Sequence, residues 1–118
     1  MKHLFVIATD PAPVQGYGQR PVALLACVTS RKEGVRHDDA CELKAGDHPF
    51  ITHDSFIDYR YTRVERAQDV EARVGDGTFI VKESCGADLL ARIIRGAAVS
   101  RSINREFRQI LAAVNARN

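Results

Sequence analysis

"VALLACVT", residues 22–29, decides the fold. It holds no charge and only one hydroxyl. A buried helix and a buried strand both read this way, so flanks and side-chain shape must choose. Pro21 stands immediately before it, and Val22, Val28 and Thr29 are β-branched. Branched side chains lose rotamer freedom in a helix and pack well on a pleated surface. The reading is therefore a central strand, apolar on both faces.

The rest follows outward from that strand. "HLFVIAT" (3–9) is an apolar run of strand length. "DPAPVQGYGQRP" (10–21) is a loop, because three prolines and two glycines sustain neither ladder nor helix. "SRKEGVRHDD" (30–39) is a charged loop around Gly34, "ACEL" (40–43) a short strand and "KAGDHP" (44–49) a turn. "SFIDYRYTRVE" (55–65) alternates as a strand does. Ile57, Tyr59 and Tyr61 fall on one face, Asp58, Arg60 and Thr62 on the other. "AQDVEARV" (67–74) predicts a short helix, "GDG" (75–77) a turn and "TFIVKE" (78–83) a last strand.

The end is helical. "ADLLARIIRGAA" (87–98) carries Leu89, Leu90, Ile93, Ile94 and Ala97 at helical spacing, with Gly96 as a point of bending. "SINREFRQILAAV" (102–114) repeats the stripe through Ile103, Phe107, Ile110, Leu111 and Val114, with Ser100 or Ser102 as its cap. Strands come first and helices last. That order predicts α+β, a small antiparallel curled sheet with helices packed on one side. The 118 residues suit one domain, 1–118, β-rich over 1–83 and helical over 84–118.

Composition narrows the function classes. Apolar residues make up 45% and charged residues 27%, an ordinary globular balance. No stretch approaches the roughly 20 apolar residues of a membrane helix. "MKHLFVIATD" reads as a first strand rather than a leader, so no membrane is expected and the cytosol is the expected location. Cys27, Cys41 and Cys85 are odd in number and widely spaced, which predicts reduced thiols rather than a disulfide framework. Residues 1–81 hold ten Lys and Arg against twelve Asp and Glu, whereas residues 82–118 hold seven against three. The basic end permits an anionic partner such as RNA, and equally a solvated helix face.

Chemistry concentrates in "GDHPFITHDSFIDYR" (46–60). His48 and His53 are candidate proton carriers, Arg60 a candidate for charge stabilisation, and Ser55, Asp58 and Tyr59 candidate substrate contacts. The ordinary alternative is a capped turn with His48 on backbone and both tyrosines in the core. Thr29 and Ser30 end the central strand and open a loop with Arg31, which reads as a phosphate cradle or as a simple hydroxyl turn. "GYGQRP" lacks the spacing of a nucleotide-binding loop, so no cofactor is expected. His37, Asp38, Asp39 and Cys41 cluster at no known ligand spacing, so no metal is expected.

Gly18, Arg20 and Pro21, then Val28, Thr29 and Ser30, then "SFIDYRYTRVE" form a pattern that resembles the MazF/PemK toxins of type II toxin–antitoxin systems. The resemblance covers residues 16–66. The family has two strands between its "RP" arginine and its catalytic threonine, and this chain has room for one, so the carry-over is firmer for Thr29 than for Arg20. The resemblance implies an SH3-like barrel, a homodimer and an antitoxin protein partner. It also implies cleavage of single-stranded RNA by 2′-hydroxyl attack without metal. In that chemistry Thr29, His48, His53 and Arg60 are the expected catalytic set, and Arg20, Ser30, Arg31, Ser55, Asp58 and Tyr59 the expected substrate contacts. The competing expectation is a non-catalytic RNA- or protein-binding module, with Arg101, Arg105 and Arg108 as its contacts.

Overall fold

A computed structural model describes residues 3–116, leaving the outermost residues of the expected 1–118 domain outside the described part. The elements run β1 (Leu4–Ile7), β2 (Val22–Ser30), β3 (Glu42–Leu43), β4 (Ser55–Ile57), a 3-10 turn (Tyr59–Tyr61), β5 (Arg63–Arg66), α1 (Ala67–Gly75), α2 (Ala87–Val99) and α3 (Arg105–Ala116). The architecture is α+β, with a five-stranded antiparallel sheet and three helices.

β2 is the centre, as its composition requires. Its residues Val22–Cys27 are all buried. One edge pairs with β1, Phe5 facing Cys27 and Ile7 facing Leu25. The other edge pairs with β4 near its end and with β5 near its start. β3 adds beside β4, so β1 and β3 are the edges of the ladder and no pairing among the described residues joins them.

Strand pleating divides the side chains. Leu24, Ala26, Leu43 and Ile57 point to the core, where they meet Leu89, Ile93 and Ala97 of α2 and Ile110, Leu111 and Val114 of α3. Phe5, Leu25, Cys27, Thr29, Glu42, Phe56 and Arg63 share the opposite, open face by register.

Several expectations are corrected. "SFIDYRYTRVE" is two strands, not one. Ile57 faces Val28 and Arg63 faces Leu25, so the chain between them carries three residues more than β2 needs. The surplus forms the 3-10 turn, capped by Asp58, whose carboxylate accepts from the Arg60 N–H. Tyr59 is buried at 2% exposure, whereas Tyr61 is 57% exposed, so the two tyrosines do not share a face. β1 ends at Ile7 rather than residue 9.

"TFIVKE" forms no strand at all. It is irregular, and Ile80 and Val81 are 63% and 72% exposed. Its residues favour strands, but β-propensity needs a neighbouring strand to act, and none stands beside this segment. α2 passes through Gly96 unbroken. α3 is capped by Asn104, whose Oδ1 accepts from the Glu106 N–H at 2.8 Å. Ser100 instead organises the corner, accepting from the N–H groups of Ser102 and Ile103 and donating to Asp38 at 2.5 Å. Among the described residues no helix is long and apolar enough to cross a membrane.

Candidate functional site

Where β2 ends, side chains from three separate segments meet on the open face. Thr29 faces Phe56 across β2 and β4, and Phe56 faces Glu42 across β4 and β3. Period-2 pleating therefore puts Thr29, Phe56 and Glu42 side by side. The loop after β2 then turns back over them. Its reversal uses Gly34 at φ 77°, in the left-handed region that glycine reaches without strain. Arg31 is anchored by its N–H on the Asp54 carbonyl at 2.9 Å.

Two cationic or imidazole groups converge on one oxygen. Arg31 Nη1 lies 3.1 Å and His37 Nε2 3.0 Å from Oε2 of Glu42. The His37 ring leans on Phe56, with centroids 5.1 Å apart. Among the described residues, Nδ1 of His37 meets no hydrogen-bond partner. Beside the cluster lies a hollow of about 400 Å³ lined by Arg31, Lys32, Glu33, Gly34, Val35, His37 and Asp54. Cys27 lies behind Thr29, sulfur to hydroxyl 3.7 Å, and burial pushes its thiol up, away from thiolate chemistry.

Along the same edge of β2, the Asp58 N–H donates to the Cys27 carbonyl at 2.9 Å. Its carboxylate is buried and is gripped by Arg60 at both oxygens, Nε at 3.0 Å and Nη2 at 2.8 Å. That pairing pushes the Arg60 guanidinium still further up, so it is a permanent cation. Arg60 also lies over the ring of Tyr61, 5.2 Å from its centroid.

The structure gathers some of the sequence candidates and separates others. Thr29 and Arg31 stand in the cluster, and Asp58 and Arg60 stand one step along the strand. Ser30 and Ser55 face each other at the rim. Ser55 is buried and donates to the His53 carbonyl at 2.8 Å. Tyr59 is a core residue, its hydroxyl donating to the Ile93 carbonyl at 2.6 Å, which removes it from base stacking. Arg20 precedes the far end of β2, about 24 Å of strand away from Thr29. His53 is exposed, its Nδ1 3.3 Å from the Thr52 hydroxyl.

His48 is positioned for structure. Its Nδ1 accepts from the Phe50 N–H at 3.0 Å, which leaves the ring proton on Nε2, 2.8 Å from the Glu83 carbonyl. Both nitrogens are engaged by backbone, so in this structure His48 ties its own turn to the chain before α2. Of the arginines named for a binding module, Arg108 is committed to the carbonyls of Ala97 and Ser100, while Arg101 and Arg105 are exposed.

His37 and Glu42 carry the cluster, and neither belongs to the sequence-derived set. Glu42 had a usable signal, lying between buried Cys41 and buried Leu43 in a strand, which turns it outward. His37 had none, because a loop alone brings it there. Among the described residues no three His, Cys, Asp or Glu side chains converge as metal ligands.

The loop beneath is secured by Asp47. It accepts from the Lys44 N–H at 2.9 Å and from Arg92 of α2 at 3.2 Å. The Lys44 N–H first, then Arg92, hold its carboxyl below the ordinary value. A depressed folded value means the stabilisation is present above the ordinary carboxylate range and lost as pH falls through the lower, folded value. Amide protection of Lys44 is expected to be retained at about pH 6 and lost at about pH 2 before global unfolding. Equal protection at both would show that this carboxylate does not secure the loop.

Compared with known families, with curated proteins and with solved structures, the chain matches none.

Proposed function

We propose that the chain is an endoribonuclease of the MazF/PemK toxin type that cleaves single-stranded RNA by side-chain proton transfer. The observation that carries this reading is the convergence of Arg31 and His37 on one oxygen of Glu42, beside Thr29 and an open hollow. A carboxylate that takes the Nε2–H of an imidazole fixes its tautomer and leaves the Nδ1 lone pair free as a base. That is the group RNA cleavage needs.

In this mechanism Nδ1 of His37 takes the proton of the 2′-hydroxyl. The 2′-oxygen bonds to the adjacent phosphorus and the bond to the 5′-oxygen breaks. The leaving oxygen takes a proton from water. Arg31 balances the charge that grows on the phosphoryl oxygens, and Thr29 donates its hydroxyl to one of them. The products are a 2′,3′-cyclic phosphate and a 5′-hydroxyl. Arg60, paired with Asp58 through Nε and Nη2, offers its remaining N–H groups to the neighbouring phosphate. In the same reading the curled sheet is an open relative of the SH3-like barrel, the active form is a homodimer, and an antitoxin protein covers the open face.

Purified protein is expected to cut a mixed-sequence single-stranded RNA in the presence of a chelator, giving cyclic-phosphate ends. A 2′-deoxy version of the substrate is expected to resist. Intact RNA after prolonged incubation, or equal cutting of the deoxy strand, would overturn the reading.

One observation favours a second reading, a non-catalytic RNA-binding module. Arg31 and His37 already satisfy Glu42, so the cluster is complete without substrate. Its signature is salt-dependent RNA binding with no cleavage.

A further inference from the structure

The open face continues past the rim cluster. Register puts Arg63 opposite Leu25 and Phe5 opposite Cys27, on the side that bears Thr29. From β5 the Arg63 side chain reaches across β2 and sets its guanidinium 5.5 Å from the Phe5 centroid. Leu25, its register partner, is only 5% exposed. Glu65, the next outward residue of β5, pairs with Arg63 and also, at 3.7 Å, with Arg73 of α1. One carboxylate again holds two nitrogen groups, as Glu42 does at the rim.

The two places are built alike. Each has a flat nitrogen group backed by a phenylalanine ring and tied sideways by a glutamate, His37 on Phe56 and Arg63 on Phe5. Phe5 and Phe56 flank β2 on opposite edges, two residues apart along it, a diagonal of about 12 Å from strand rise and strand spacing. Across this face Glu42 pairs with Arg31, and Glu65 with Arg63 and Arg73, so the Arg63 end carries two guanidinium groups on one carboxylate. The Arg63 side chain is 42% exposed, so part of its surface remains open to solvent. Such a plane, held against a ring, stacks a nucleobase while its charge attracts the phosphates on either side.

We propose that Arg63 on Phe5 is a base-stacking platform for single-stranded RNA, taking a nucleobase beyond the linkage held at the rim. The identity of the strand as RNA rests on the proposed cleavage reading, and the platform itself rests on the Phe5–Arg63–Glu65 geometry. The platform lies about 12 Å from the rim ring, so a strand that spans both places, longer than a dinucleotide, is the substrate class.

The test is binding of a fluorescent 2′-deoxy decamer, which does not depend on cleavage. Arg63→Gln and Phe5→Leu are each expected to weaken it about five- to a hundredfold. In cleavage assays the decamer-over-dinucleotide ratio of kcat/KM is expected to fall at least about fivefold in both. Circular dichroism identifies a variant that has lost its fold, and the other then decides. Unchanged decamer affinity in a folded Arg63→Gln protein would overturn the platform. Arg63-dependent binding without any cleavage of RNA would keep the platform and remove only the nuclease reading.

Discussion

Gly96→Ala is expected to lower stability by about 3 kcal/mol, although alanine is the better helix former. A Cβ at Gly96 would lie 2.3 Å from the Tyr59 hydroxyl, 2.9 Å from Cys41 Cβ and 3.0 Å from the Ala40 carbonyl. Two of these neighbours belong to chain that cannot swing aside. The helix propensity gain is about 1 kcal/mol. Overpacking costs about 1–3 kcal/mol, and displacing Tyr59 also breaks its bond to the Ile93 carbonyl and leaves a buried hydroxyl unpaired, about 1–3 kcal/mol more. The opposing terms leave a clear net loss.

A double-mutant cycle separates the causes. In Tyr59→Phe the 2.3 Å obstacle is gone, so Gly96→Ala is expected to cost roughly half as much there. Denaturant midpoints read both values. A Gly96→Ala protein as stable as the parent would mean that α2 is not pressed onto the 3-10 turn. That contact matters beyond stability. Tyr59 holds the turn from the helix side, and the flanking Asp58–Arg60 pair is aimed by it along the edge of β2.

The contrast between the central strand and its partners shows what the chain discloses locally. Residues 22–29 are apolar on both faces, and Pro21 before them with branched side chains at the ends selects a central strand over a helix. Their reading needed nothing from elsewhere. The 55–66 stretch alternates correctly up to Ile57 and again from Arg63, but the looped-out turn between them exists because Tyr59 finds a slot beside Gly96, some 37 residues later in the chain. No local pattern encodes that slot. "TFIVKE" fails for the converse reason. Its propensity is strong, but the topology supplies no strand beside it.

The site was half legible on the same grounds. Thr29 and Arg31 follow from a strand that runs out of apolar residues into a basic loop. Glu42 and His37 reach them from a two-residue strand and a loop, through the β2–β4–β3 order, which sequence order does not state. His48 reads as a proton carrier because an imidazole changes charge near neutral pH. A histidine ahead of a proline in a tight turn has backbone N–H groups close at hand, and this one takes one of them.

His37→Ala is expected to lower kcat for RNA cleavage by about 10²- to 10⁴-fold, the usual contribution of a positioned general base. The loss belongs in kcat rather than KM, because Nδ1 bears on the 2′-proton and not on the strand's charge. Binding of the 2′-deoxy decamer is the control that separates chemistry from affinity. Glu42→Gln asks how the base is made. Glutamine can turn its NH₂ toward Nε2, which moves the ring proton to Nδ1 and disables the base without emptying the site. A drop of about 10- to 100-fold is expected, the range of partners that act by orienting a functional imidazole. Nitrogen NMR of His37 should show the changed tautomer, a signature that a merely loosened loop would not give. His48→Ala is expected to disturb the 44–54 loop, since it removes a link to Phe50 and Glu83. If instead His37→Ala cuts RNA at the parental rate while His53→Ala does not, the proton transfers belong to the loop before β4. The Arg31–Glu42–His37 group is then a structural ion-pair network.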